Sequence, residues 1–227
     1  RVSESLGNLY AMHWPYKQFK SSRDVKLLPY HNELKKVGAC FGEGAGYERP
    51  LWYAKKNEIP EDRYRYGYQN WYPAAERESI STRKNVSLFE LTPFAKFKLN
   101  GKEAYEELQY ICSNNISNVD GKITYTQMLN NHGGIEADLS VTCLNENNFL
   151  ITTGSGVRYH DKHWIQKNLR ANSEIELEDV TESLAVIGIM GPNSRLLMSQ
   201  FSNENFETSN FPFGTGKYLS LQGTSIW

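Results

Sequence analysis

Residues Tyr125–Thr142 read YTQMLNNHGGIEADLSVT. The stretch holds a short apolar run, a polar turn and a second run of alternating character. Its turn, Asn130-Asn131-His132-Gly133-Gly134, ends in two glycines, which take positive φ without steric cost. After it Ile135, Ala137, Leu139, Val141 and Cys143 alternate with Glu136, Asp138, Ser140 and Thr142. Period-2 alternation of this kind defines a half-buried strand. The apolar set, Ile135 included, is expected to face a core. Asp138 is expected to face a cavity on the polar side, beside small hydroxyl residues. An acid on the wet face of a strand is by default only solvated, so these residues alone do not make Asp138 a site.

Working outward, the sequence predicts strands over Val86–Glu90 and Phe94–Leu99, where Ala95, Phe97 and Leu99 alternate with Lys96 and Lys98. Lys102–Asn114 reads as an amphipathic helix with Ala104, Tyr105, Leu108, Ile111 and Cys112 on one stripe. The hairpin Ile123–Leu129 and Ile135–Leu144 follows, then a turn at Asn145–Asn148 and a strand over Phe149–Thr153. Tyr159–Leu169 reads as a helix with Trp164, Ile165 and Leu169 inward. Ile175–Val180 and Ala185–Met190 have strand character, and Gly191-Pro192 opens a helix over Asn193–Phe201. LSLQGTSIW, at 219–227, reads as a strand. Helices set between groups of paired strands imply an α+β fold with largely antiparallel sheets.

Upstream the pattern changes. Residues 1 to about 73 are aromatic-rich and irregular, with a helix over Asn32–Val37 and a tyrosine-rich loop over Asn57–Tyr72; Ala74–Lys84 reads as a helix. Gly44-Ala45-Gly46 is not a nucleotide loop. A dinucleotide fingerprint needs three spaced glycines opening a helix, and here Pro50 and two bulky aromatics follow. These glycines are read as turn formers. His13 and His31 are read as packed members of an aromatic cluster.

The composition of the 227 residues is that of an ordinary globular protein: 39% hydrophobic, 22% charged, net charge −1. A near-neutral balance gives no support to nucleic-acid binding. Apolar runs reach about five residues, far short of a membrane span. Cys40, Cys112 and Cys143 are widely spaced and without a CxxC, as expected of reduced thiols in a reducing compartment; no clustered set suits a metal. The expected location is cytoplasmic, or the mitochondrial matrix in a eukaryote. A chain that begins at Arg1 and stops at Trp227 inside strand-like sequence reads as a piece of a longer one.

Y-T-x-M-L-N-x-x-G-G-I-x-x-D-L-x-V, at 125–141, resembles the signature hairpin of the aminomethyltransferase family. That family includes the T-protein of glycine cleavage and the C-terminal halves of dimethylglycine and sarcosine dehydrogenases. V-S-L-F-E-L-T-P-F-A-K-F resembles its opening strand, with Glu90 where Asp is more usual, and I-G-I-M-G-P a second strand-to-helix junction. Upstream, G-x-E-R-P-x-W-(F/Y), here Gly46–Tyr53, resembles the linker of the dehydrogenase branch, which free-standing T-proteins lack. Many T-proteins carry two Asp in the hairpin; this chain has the single-Asp form, Ala137-Asp138.

The resemblance implies ferredoxin-like α+β units, with residues 1–73 as the linker module and 74–227 as a folate-binding domain incomplete at its C-terminus. It implies tetrahydrofolate as cofactor, contacted by Asp138, with Tyr125 against the pterin and Leu91 as a weaker apolar wall. Thr153-Gly154 stands where T-proteins often have an Asn that helps to hold the pterin, so Thr153 is a candidate contact. No GxGxxG follows a strand, so FAD is expected only in another domain, of the same or a partner chain. The implied activity is that of the folate-binding portion of a demethylating flavin-dependent dehydrogenase, with Asp138 holding or deprotonating the attacking folate amine. Expected partners are a small-molecule folate and the flavin domain, with no nucleic acid and no membrane. A T-protein-type aminomethyltransferase and a non-catalytic regulatory relative of the same fold are the alternatives.

Overall fold

We describe the protein from a computed structural model covering residues 1–170 and 174–227. In chain order the elements are α1 (Val2–Asn8), α2 (His31–Lys36), β1 (Ala39–Gly44), β2 (Tyr47–Tyr53), α3 (Tyr72–Lys84), β3 (Ser87–Glu90), β4 (Ala95–Asn100), α4 (Ala104–Ile111), β5 (Ile123–Leu129), β6 (Ile135–Asn145) and β7 (Asn148–Thr153). A 3-10 turn (Ser155–Val157), α5 (Arg158–Asn168), β8 (Glu176–Asp179), β9 (Ile187–Met190), α6 (Ser194–Met198), β10 (Leu219–Leu221) and β11 (Thr224–Ile226) complete the chain. Two compact units divide it: Arg1–Glu90 with Val186–Ser194, and Leu91–Ala185 with Arg195–Trp227.

The larger unit is built on one five-stranded sheet in the order β5-β6-β7-β4-β8, antiparallel throughout. Alternation fixes its two faces. Ala95, Phe97 and Leu99 of β4 lie opposite Thr153, Ile151 and Phe149 of β7, which lie opposite Leu139, Val141 and Cys143 of β6. These residues bury one face, against which Ala104 and Leu108 of α4 and Ile165 of α5 pack. The stripe predicted for α4 is the one that packs, since Tyr105, Ile111 and Cys112 also join this cluster. The architecture is α+β and its sheets are antiparallel. Three strands stand between α4 and α5, one more than a βαββαβ unit has.

The smaller unit is less regular, yet it holds more structure than its sequence suggests. β1 and β2 form a hairpin whose two turn residues, Ala45 (φ 52°) and Gly46 (φ 82°), both take the left-handed conformation of a type I′ turn. The glycines are turn formers, as expected. A register shift between Cys40 and Phe41 leaves Leu51 unpaired, next to Pro50, which has no N–H to give to a ladder. His31 is 5% exposed and stacks on Phe41 at 4.2 Å; His13, by contrast, is exposed. β3 and β9 pair as a second two-stranded sheet.

Two further expectations are corrected. The terminal stretch is not one strand: Gln222 (φ 47°) and Gly223 (φ 86°) turn it into the β10–β11 hairpin. Ile135 does not face the core; it is 67% exposed. Met128 pairs with Ala137 but Leu129 pairs with Ile135, so Glu136 is an extra residue on β6. This bulge ends the alternation and sets Ile135 opposite Leu129, on the other side of the sheet from Ala137. All three cysteines are free thiols, and burial pushes Cys40 and Cys112 up to about 12, so they are protonated and inert. Among the described residues no helix is long and apolar enough to cross a membrane.

Candidate functional site

The face of the five-stranded sheet opposite α4 and α5 carries the polar positions. On β5 and β6 these are Tyr125, Gln127, Asp138 and Ser140, with Gln127 opposite Asp138 and Tyr125 opposite Ser140. Tyr125 and Asp138 are therefore diagonal neighbours across the strand pair, close enough for a long side chain to reach. The phenol of Tyr125 is raised above its ordinary value, first by its hydrogen bond to Asp138. Gln127 Nε2 donates to Asp138 Oδ1 at 3.3 Å. The structure thus brings together two residues singled out in the sequence and adds a third, Gln127.

Asp138 is exposed, not enclosed in a cavity as the alternation suggested. β6 is a half-buried strand, and its polar face within the unit is open. Tyr125 is likewise 60% exposed. The group is an aromatic plane, an amide and a carboxylate side by side on a rigid sheet. A carboxylate accepts hydrogen bonds only, so it suits a ligand presenting N–H donors, and an exposed ring suits a flat partner.

The other two candidates lie elsewhere. Thr153 ends β7 opposite Leu139, so its side chain belongs to the buried face and is 2% exposed. Its hydroxyl donates to Asp161 Oδ2 at 2.5 Å, and the backbone carbonyl of Asp138 lies 3.4 Å away. Leu91 is half-buried in the connection between β3 and β4, whose turn is closed by the Phe94 N–H on the Leu91 carbonyl at 3.1 Å. Thr153 does not share the face of Tyr125 and Asp138.

Behind the group stands a network that sequence reasoning missed. Asp161, in the first turn of α5, is fully buried. Its Oδ1 lies 2.9 Å from Nδ1 of His160, whose Nε2 lies 3.5 Å from Glu136 Oε2. Glu136 Oε1 accepts from Asn130 Nδ2 at 2.8 Å, and Asn130 Oδ1 accepts the N–H groups of His132 and Gly134 in the hairpin turn. His160 is raised above its ordinary value, chiefly by its bond to Asp161 and further by Glu136. Arg158 pins the start of α5 through Asp179 and Glu182, both at 2.8 Å. One signal was available: Asp161 precedes the inward Ile165 by four residues, so both lie on one helix face.

An antiparallel sheet with helices on one face and polar strand residues on the other, at this chain order, has the architecture of an aminomethyltransferase. The aminomethyltransferase T of the glycine cleavage system from Bartonella henselae superposes with a TM-score of 0.62 over 78% of this chain and 44% of that one, at 23% identity. The chain belongs to the GCVT N-terminal domain family, whose model matches residues 30–227. It is 37% identical over 221 residues to 4-methylaminobutanoate oxidase (formaldehyde-forming) of Paenarthrobacter nicotinovorans, covering 97% of this chain and 27% of that protein. Mitochondrial dimethylglycine dehydrogenase of Rattus norvegicus is 27% identical over 227 residues, all of this chain and 26% of that protein. The chain thus spans about a quarter of the length of the curated relatives it matches.

Proposed function

We propose that this chain is the folate-binding portion of a flavin-dependent N-methyl amine dehydrogenase or oxidase, in which tetrahydrofolate captures the one-carbon unit released by amine oxidation. The observation that carries the reading is the cluster of Tyr125, Gln127 and Asp138 on the open face of a rigid sheet, with Gln127 opposite and bonded to Asp138 and Tyr125 diagonal to it. Membership of the family and the kinship to amine oxidising enzymes support it. In this reading residues 1–73 are the linker module and 74–227 the folate-binding part. FAD belongs to a further domain, of the same or a partner chain. A reducing compartment, cytoplasmic or mitochondrial, suits the three free thiols.

The residues present fit a pterin-type ligand. Asp138 offers a carboxylate to ring N–H groups, and Tyr125 offers an aromatic plane beside it. Bound tetrahydrofolate supplies the amine nucleophile for the one-carbon unit. Asp138 holds that amine and accepts its proton during attack. Gln127 fixes one carboxylate oxygen, and the Tyr125 hydroxyl steadies the carboxylate. Thr153 enters as support for the strand, and Leu91 as a weaker apolar wall.

Asp138→Asn tests the reading in the full-length protein. The change keeps shape and removes charge and basicity. Formation of methylene-tetrahydrofolate falls about a hundredfold if the carboxylate accepts the proton. Tetrahydrofolate affinity falls by about 1–3 kcal/mol if it only orients the ligand. In either case amine oxidation continues and free formaldehyde is released instead. Formaldehyde and methylene-tetrahydrofolate are followed separately; unchanged affinity with an unchanged product ratio overturns the assignment.

A further inference from the structure

We propose that Asp161 is a positioning residue for the candidate site: with Thr153, His160 and Glu136 it forms a side-chain latch that replaces the strand ladder where β7 ends and fixes the segment Glu136–Asp138. The inference rests on the reading of Asp138 as the folate carboxylate.

The ladder sets the need. Pairing between β6 and β7 stops at Leu139↔Thr153, so Asp138 is the first residue of β6 beyond the end of β7. On its other side β5 continues, through Gln127↔Asp138 and Met128↔Ala137, up to the bulge at Glu136. The segment that aims the carboxylate is therefore strand-paired along one edge alone. A backbone held on one side is freer to twist, and a bulge adds to that freedom.

α5 fills the gap with side chains. Asp161 is fully buried, and a buried carboxylate is costly unless its oxygens are hydrogen-bonded. Here one oxygen accepts from Thr153 at 2.5 Å and the other faces His160 Nδ1 at 2.9 Å. His160 reaches on to Glu136, the bulge residue, and Glu136 to Asn130 in the turn. The chain of contacts runs from the last residue of β7, through α5, to the bulge two residues before Asp138. Asp161 shares its helix face with Ile165, where an apolar side chain would bury at no electrostatic cost. A carboxylate at such a place breaks the local pattern, as residues serving a site do.

The latch carries charge. An imidazolium donates at both nitrogens, so protonated His160 satisfies Asp161 and Glu136 together, whereas neutral imidazole donates to one of them. The titratable groups facing His160 are these two carboxylates, from its own helix and from β6. Its folded pKa is raised, so the latch is complete at low pH and is lost as pH rises through that value.

The test uses the full-length protein with two readouts. Amide hydrogen exchange over peptides spanning 129–139, corrected for intrinsic rate, is measured without ligand from about pH 6 to about pH 9. Wild type is expected to lose protection in this segment on the alkaline side. Asp161→Asn should exchange about tenfold faster there at the acid end. His160→Gln is a surface change that keeps the fold and cannot titrate, so its protection should not vary with pH. Tetrahydrofolate titration is the second readout, with Asp161→Asn binding about tenfold more weakly, as for one lost charged hydrogen bond. If wild type and His160→Gln share one pH profile of exchange, the latch is overturned whatever the ligand. If exchange behaves as described but neither Asp161→Asn nor Asp138→Asn changes tetrahydrofolate affinity or the ratio of methylene-tetrahydrofolate to formaldehyde, the folate reading fails instead, and with it the positioning role.

Discussion

Among the described residues, fourteen buried apolar residues form one cluster around the five-stranded sheet, with Phe97, Leu99, Phe149 and Ile151 fully enclosed. In the smaller unit the corresponding cluster is Cys40, Trp52 and Ala74. There, distant segments are joined instead by single polar contacts. Glu4 accepts the N–H groups of Lys20 and Ser21, both at 2.7 Å. Arg23 Nε donates to Glu48 at 2.7 Å, Trp52 Nε1 to Asp62 at 2.8 Å, and the Tyr53 N–H to Glu78 at 2.8 Å. One unit rests on area removed from water, which no single polar group controls. The other rests on directional bonds between charged or amide groups, each of which a single change or a shift of pH can remove. Asp138, on β6, sits on the first kind of support.

The largest test of this contrast is Phe97→Ala. Emptying a fully buried aromatic site should cost about 3–5 kcal/mol, read as a lower denaturation midpoint and faster amide exchange in β4 and β7. A loss below about 1 kcal/mol would mean that the sheet is not held by its core. Next comes Arg23→Ala in the smaller unit. Glu48 is 3% exposed and would be left without its guanidinium. The expected cost is about 2–3 kcal/mol, below the ~3–5 kcal/mol of a fully buried pair because Arg23 keeps 25% of its side-chain surface in water.

Acid should separate the units with a smaller effect. Glu48 is held below the ordinary carboxylate range by Arg23, and Glu4, through Ser21 and the Lys20 amide, lies at about 2. Both folded values are depressed, so their contribution is present above an unfolded value of about 4.3 and is lost as pH falls below it. Amides of β1 and β2 should lose protection in that window before those of β4 and β7; the reverse order would overturn the contrast. Smallest of all is Ile135→Thr. At 67% exposure it should change stability by less than about 0.5 kcal/mol, whereas Leu139→Ala, four residues on, should cost about 2–5 kcal/mol.

That last pair also marks how far the sequence can be read. β4, β6 and β7 were legible because each sends apolar residues to one core at every second position and polar residues to the other face. Tyr125 and Asp138 were legible as a pair through the hairpin they share with a known family. The bulge at Glu136 was not legible, since an extra residue in a strand leaves no mark on composition. β1 and β2 escaped notice because Gly, Pro, Arg and Glu occupy them and their partners are polar groups far along the chain. Asp161 escaped because an acid in a helix reads as a wet position; its burial depends on a hydroxyl eight residues earlier in the chain.

The bulge has a consequence for changes in chain length. Residues from Asp138 to Cys143 alternate strictly between the two faces, and removing or adding one residue among them would exchange the faces of everything on one side of the change. Asp138 would then point into the core while its strand stayed paired. At Glu136 the strand already carries one residue too many. A deletion there would straighten the ladder, keep Ile135 opposite Leu129 on the side away from Ala137, and leave Asp138 on the face it now occupies. Along β6, then, point substitutions are judged by burial, but insertions and deletions are judged by parity, and Glu136 is the place where the count can change without moving the carboxylate.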